Sequence, residues 1–264
     1  MGRNTVFLSQ CVEVMVRQDA EDWQEVEDVL VSLANIALHT NLALQPSRVV
    51  MGIMTSLLYW TVSQSIVAVD TFSHTSMLTP HKLSLEILCK LCLHQSNTDL
   101  LLATPPQDRL GLLCQVLAKK LYKSEDQAIR EMSISLLHYL TSASTFMAQN
   151  ISLNTPTIPL LIAFIEHAES GAQHVAKHQG VSILRDNPSS MGTSLATLGR
   201  AAKILVTLAQ QSSSSRNFIR EELRLMDLAM SQILDQDVAR SVCEVMHLAS
   251  TEDRKRRRVT IWGW

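Results

Sequence analysis

Aromatic residues make up only 5% of this 264-residue chain, glycine occurs 8 times and proline 7 times. So few turn glycines and so few Tyr, Phe and Trp exclude a β-sandwich or barrel with a hairpin every few residues. An excess of charge of one sign is also lacking. The formal net charge is -2, which argues against a broad nucleic-acid-binding face. No apolar run approaches the roughly 20 residues of a membrane span. There is no Gly-x-Ser-x-Gly, no glycine-rich phosphate loop and no paired-carboxylate signature, so no enzyme is expected. The five cysteines (Cys11, Cys89, Cys92, Cys114, Cys243) are an odd set lying mostly in apolar helical patterns. With no secretory signal in view, buried thiols in a reducing compartment are expected. The opening Met-Gly-Arg-Asn-Thr-Val narrowly misses a myristoylation signal, because Val6 stands where Ser or Thr is wanted.

What is present is helix composition. Hydrophobic residues reach 46%, rich in Leu, Ala and Met, and they recur at three- and four-residue spacing. Leu85 to Pro106 shows the unit most clearly. Leu85, Leu88, Leu91 and Cys92 share one apolar face. Gln95-Ser96-Asn97 then offers turn and cap chemistry, with Asn97 the expected N-cap. A second apolar run ends at Pro105-Pro106, since proline lacks an amide donor and restricts its predecessor.

Similar spacing predicts helices at 7–17, 23–38, 47–63, from Pro80, and at 108–122, where Leu112, Leu113, Val116 and Leu117 face inward. Further helices are predicted at 128–142, 146–151, 158–168, 195–211, 216–234 and 238–250. Ser124-Glu125-Asp126-Gln127 has the form of a capping box. Residues 172–184 are His-rich and only loosely periodic. The chain thus divides into an N-terminal extension (1–22), a helical domain (23–250) with a flexible loop near 185–194, and a basic tail (251–264).

One short pattern recurs: two large aliphatics three apart, then a small or modest residue. It appears at Leu30/Leu33/Ala34, Leu88/Leu91/Cys92, Leu137/Leu140/Thr141, Leu205/Leu208/Ala209 and Val245/Leu248/Ala249. Three copies are followed by a polar link and an apolar restart, at Asp99-Leu100-Leu101, Thr145-Phe146-Met147 and Asn217-Phe218-Ile219. The recurrence predicts an all-α, armadillo-like α-α superhelix, a helical-repeat solenoid of about ten helices. An irregular all-α bundle is the alternative.

The string Leu-Glu-Ile-Leu-Cys-Lys-Leu, with Asp-Leu-Leu-Leu-Ala-Thr-Pro-Pro after it, resembles the C-terminal domain of the Osa/BAF250-type large subunit of SWI/SNF-like chromatin-remodelling complexes. Leu30 to Ile36, Leu57 to Trp60, Arg130-Glu-Met-Ser-Ile-Ser-Leu-Leu137 and Arg200 to Leu205 agree in the same order. The resemblance runs from about Trp23 to Ala249. It implies a non-catalytic armadillo-like scaffold in the nucleus that supports transcription regulation. That scaffold holds together the core subunits of a BAF-type complex and its remodelling ATPase. The AT-rich-interaction (ARID) domain and long disordered arm that this family normally carries upstream are not in the sequence. A fragment, short paralogue or short isoform is therefore expected, and DNA binding is not carried over. An armadillo-type adaptor outside chromatin, in transport or signalling, is the alternative.

Candidate sites are few. In the repeated pattern the residue before the second aliphatic lies off the buried stripe: Ser32, Lys90, Tyr139, Thr207 and His247. In a stacked solenoid these form a surface ladder suited to a partner helix, or they are ordinary solvated helix surface. Arg254-Lys255-Arg256-Arg257-Arg258 is a basic run of the nuclear-import type. A solvated tail and weak, salt-sensitive contact with nucleic-acid backbone, with Trp262 and Trp264 for stacking, stay open. Cys89 and Cys92 have zinc-like spacing but no second pair, and core thiols are the expectation. His174 and His178 stand one helical turn apart without an HExxH arrangement, which favours a polar helix surface. A metal-dependent enzyme built on Cys89, Cys92 and nearby histidines would require zinc; no metal or cofactor is expected.

Overall fold

A computed structural model describes residues 2–16, 23–63, 80–106, 108–123, 125–154 and 156–261. All regular structure among them is helical. Fourteen α-helices run in order: α1 Gly2–Val16, α2 Trp23–Ala37, α3 Ser47–Val62, α4 Pro80–Leu91, α5 Gln95–Ala103, α6 Asp108–Lys119, α7 Gln127–Ala143, α8 Thr145–Asn154, α9 Thr157–Gln179, α10 Val181–Asp186, α11 Leu195–Gln211, α12 Ser213–Glu221, α13 Arg224–Ala229 and α14 Gln236–Ile261. The expected count of about ten rises because polar links form short helices of their own. The chain divides into two compact units, Met1–Val116 and Leu117–Trp264.

In the first unit α1 packs on α2 and α3, and α4 packs on both α2 and α3. Leu8, Cys11 and Met15 of α1 are buried, so the segment expected as an extension contributes to this unit's core. Helix α3 accepts it closely at Gly52, where an added Cβ would collide with the side chain of Val12. The expected loop at 70–79 lies outside the described residues.

Asn97 does not cap α5. That helix starts at Gln95 with His94 as its N-cap, and Asn97 is fully buried. Its Oδ1 accepts from the Leu42 amide at 2.8 Å, and its Nδ2 donates to the carbonyls of Thr40 at 2.8 Å and Leu91 at 2.9 Å. A buried amide that saturates three backbone groups pins the α2–α3 connection to the α4–α5 turn.

In the second unit α11 is the central element. It packs against α7, α14, α9, α12 and α8. Leu198, Ala201, Ala202, Leu205, Leu208 and Ala209 are buried along it. The cap of α7 is Asp126, whose carboxylate accepts from the amides of Ala128 (2.8 Å) and Ile129 (3.3 Å). Residues 172–184, only loosely periodic in sequence, belong mostly to α9, which continues to Gln179 and ends at Gly180 (φ 93°). The stretch near 185–194 follows as the end of α10, a 3-10 turn at Pro188–Met191 and Gly192 at φ 96°. Met191 is buried there, and its carbonyl lies so close to Gly171 of α9 that no Cβ fits between them. The helical stretch expected at 216–234, with room for a kink, is two helices, α12 and α13. Ser212 caps α12 by accepting from the Ser215 amide at 3.2 Å. Helix α14 continues through 251–261, so the basic run prolongs the last helix.

The repeated pattern maps onto α2, α4, α7, α11 and α14. Every one of its small residues, Ala34, Cys92, Thr141, Ala209 and Ala249, is buried. The helices that carry them pack on one another, α2 with α4 in the first unit, and α7 with α11 and α11 with α14 in the second.

Candidate functional site

The site is a surface, built from the stripe that the repeated pattern leaves unburied. In the first unit Ser32 is exposed, and its hydroxyl donates to the Asp28 carbonyl at 2.8 Å. Lys90 is half-buried and committed. Its ammonium pairs with Glu86 at 2.6 Å and donates to the carbonyl of Ala34 in the last turn of α2 at 2.9 Å. A cation on terminal carbonyls satisfies acceptors that the helix leaves open, so Lys90 ties α4 to α2.

In the second unit Tyr139, Thr207 and His247 occupy equivalent positions on α7, α11 and α14, and α11 packs against both of the others. Tyr139 and Thr207 are half-buried and His247 is exposed. The Arg200 guanidinium carbon stands 6.0 Å from the centre of the Tyr139 ring, the range of a cation–π contact. Arg200 also donates to Ser135 at 3.4 Å. The Thr207 hydroxyl donates to the Lys203 carbonyl at 3.0 Å, and Gln210 reaches Glu244 across α11 and α14 at 3.3 Å. Lys203 is exposed.

Beside Tyr139, His138 is half-buried with a shielded Nδ1 that finds no partner among the described residues. Burial first, then the charges of Arg200 and Lys203, hold its imidazole below the usual histidine range. This face is therefore cationic and aromatic at its centre. Sequence reasoning missed Arg200, Lys203 and His138 as surface groups, although the first two lie inside Arg200 to Leu205, a segment that carried the resemblance.

Glu131 was missed as well. Its carboxylate accepts from the Thr193 hydroxyl at 2.9 Å, the Ser194 amide at 3.4 Å and the Thr197 hydroxyl at 3.3 Å. A negative charge at the start of α11 is favourable there, so Glu131 fixes α7 against α11 and sets the register of the face. It lies within Arg130-Glu131-Met132-Ser133, another segment that carried the resemblance.

The thiols of Cys11, Cys92 and Cys114 are packing groups, whereas Cys243 is exposed. Burial pushes Cys11 up to about 11 and Cys92 and Cys114 up to about 12, far from the range of a reactive thiolate. Cys89 is half-buried. His174 and His178 are exposed on α9 with ring centres 4.4 Å apart. No group of three or more His, Cys, Asp or Glu able to hold a metal occurs among the described residues. Among the same residues no helix is long and apolar enough to cross a membrane. The backbone of Arg254 to Arg258 lies in α14.

Fold and surface together define an all-α chain of stacked helices. Residues 12–198 match the family described as SWI/SNF-like complex subunit BAF250/Osa. The chain is 44% identical over 227 residues to Trithorax group protein osa of Drosophila melanogaster, covering 85% of this chain and 8% of that protein. It is 46% identical over 112 residues to Trithorax group protein osa of Drosophila yakuba, covering 42% of this chain and 35% of that one. This chain belongs to the BAF250/Osa family of SWI/SNF-like complex subunits, and it spans a small part of the length of these relatives. Among solved structures, an engineered protein aligns with TM-score 0.47 at 15% identity, over 92% of this chain and 96% of that one. A designed armadillo repeat protein aligns with TM-score 0.46 at 15% identity, over 92% of this chain and all of that one.

Proposed function

We propose that this chain is a non-catalytic interaction scaffold of a SWI/SNF-type chromatin-remodelling complex, working in the nucleus to hold core subunits and the remodelling ATPase together. Membership of the BAF250/Osa family is the observation that carries this reading. The surface supports it in kind, because a row of equivalent side chains on neighbouring helices suits an extended or helical protein segment. Tyr139, Thr207 and His247, with Arg200 and Lys203 between them, are the contact residues. Ser32 is the residue at the corresponding position of the pattern in the first unit. Lys90 serves α2 rather than a partner.

The basic run Arg254 to Arg258 acts in nuclear import, and nothing in this role requires sequence-specific DNA contact. Affinity purification of the tagged chain from nuclear and cytosolic extracts tests the assignment. The remodelling ATPase and other core subunits should be enriched in the nuclear fraction. Recovery of transport or signalling proteins without them would place the chain among adaptors outside chromatin and overturn it.

A further inference from the structure

A second polar site lies in the second unit, at Tyr122–Lys123, α7 and α9. A cleft of about 400 Å³ is lined by Tyr122 and Lys123, by Arg130 of α7, and by Phe164, Glu166 and His167 of α9. That volume falls in the range of about 300–1,000 Å³ typical of ligand clefts. Glu166 lines the same cleft, yet Lys123 and Arg130 form no ion pair with any described residue. Glu125 pairs with Lys120 at 3.3 Å, and Glu166 pairs with Arg224 at 3.2 Å. The Nε of Arg130 is shielded from solvent and has no acceptor. A shielded donor without an acceptor is unfavourable until an oxygen meets it.

We propose that this cleft binds an anionic side chain, a phosphorylated Ser or Thr or an Asp or Glu, carried on a partner protein segment. Arg130 supplies forked donors and Lys123 a point charge, the pairing that suits a multi-oxygen anion. The walls at buried Leu121 and Phe164 and half-buried Leu160 suit the apolar residues flanking that anion, which favours a peptide over an inorganic ion. His167 reports the same field: burial first, then Lys123 and Arg130, hold its imidazole below its usual value.

Fluorescein-labelled peptide libraries with random flanks and a central phosphoserine, Glu or Ser, titrated against the whole chain by anisotropy, provide the test. The phosphoserine or Glu library should bind at least about tenfold tighter than the Ser library, and the tighter of the two names the source of the anion. Lys123→Gln with Arg130→Gln should abolish the preference, with circular dichroism unchanged. Equal binding of all three libraries, or a preference that survives the double variant, would overturn the proposal. Should the double variant not fold, the tighter-binding of the phosphoserine and Glu peptide libraries, added to the unsubstituted chain, must raise the titration midpoint of His167 followed by NMR. An unmoved midpoint rejects the site.

Discussion

At the residue scale, single polar side chains inside apolar helices carry much of the specificity. Replacing Asn97 with Ala strands the Leu42 amide and the Thr40 and Leu91 carbonyls. The expected loss is about 2–4 kcal/mol of unfolding free energy, measured by urea denaturation. His138 gives the chain a pH dependence. Its imidazole titrates below the ordinary value of 6.5 in the folded protein, so the unfolded chain binds the proton first as pH falls. Stability attributable to this group is intact above that value and declines as pH drops from it towards the lower folded value. His138→Gln should flatten the stability profile over this window; a profile unchanged by the substitution would remove His138 as its source.

At the scale of elements, the contacts between helices rest on small residues and on a few caps. Gly52→Val would force the Val12 side chain of α1 away from α3, a clash expected to cost about 1–3 kcal/mol and to appear as a lower melting temperature. Glu131→Ala removes the acceptor for Thr193, Ser194 and Thr197. It should cost about 1–2 kcal/mol and raise amide exchange in the first turn of α11. The stacking faces were legible in the sequence because the pattern of two aliphatics and a small residue is local and periodic. Leu88, Leu91 and Cys92 announce their own burial. The cross-chain partners were not. Glu131 and Thr193 are 62 residues apart, and nothing near either one marks the pairing. Asn97 looks like a cap because it follows a turn, and only the approach of the Thr40–Leu42 segment shows why its side chain turns inward. Lys90 looked outward for the same reason: the terminal carbonyl of α2 that it meets lies 56 residues away.

At the scale of the whole molecule, membership of the BAF250/Osa family is the basis of the proposed assembly role. On the proposed reading, the cationic and aromatic face of α7, α11 and α14 is a surface for a partner segment, and Arg254 to Arg258 a route into the nucleus. Replacing those five basic residues with Gln should reduce nuclear accumulation of a fluorescent fusion while leaving its melting temperature unchanged. Tyr139→Ala combined with Lys203→Glu alters the face without removing a fully buried group, and should weaken partner capture in a folded protein. The most direct measurement is sedimentation of nuclear extract from cells expressing the tagged chain, probed for the tag and for the remodelling ATPase. Comigration of both in one large-complex fraction, reduced by the Tyr139/Lys203 variant, is the predicted result. A tagged chain confined to small fractions and separated from the ATPase would contradict it.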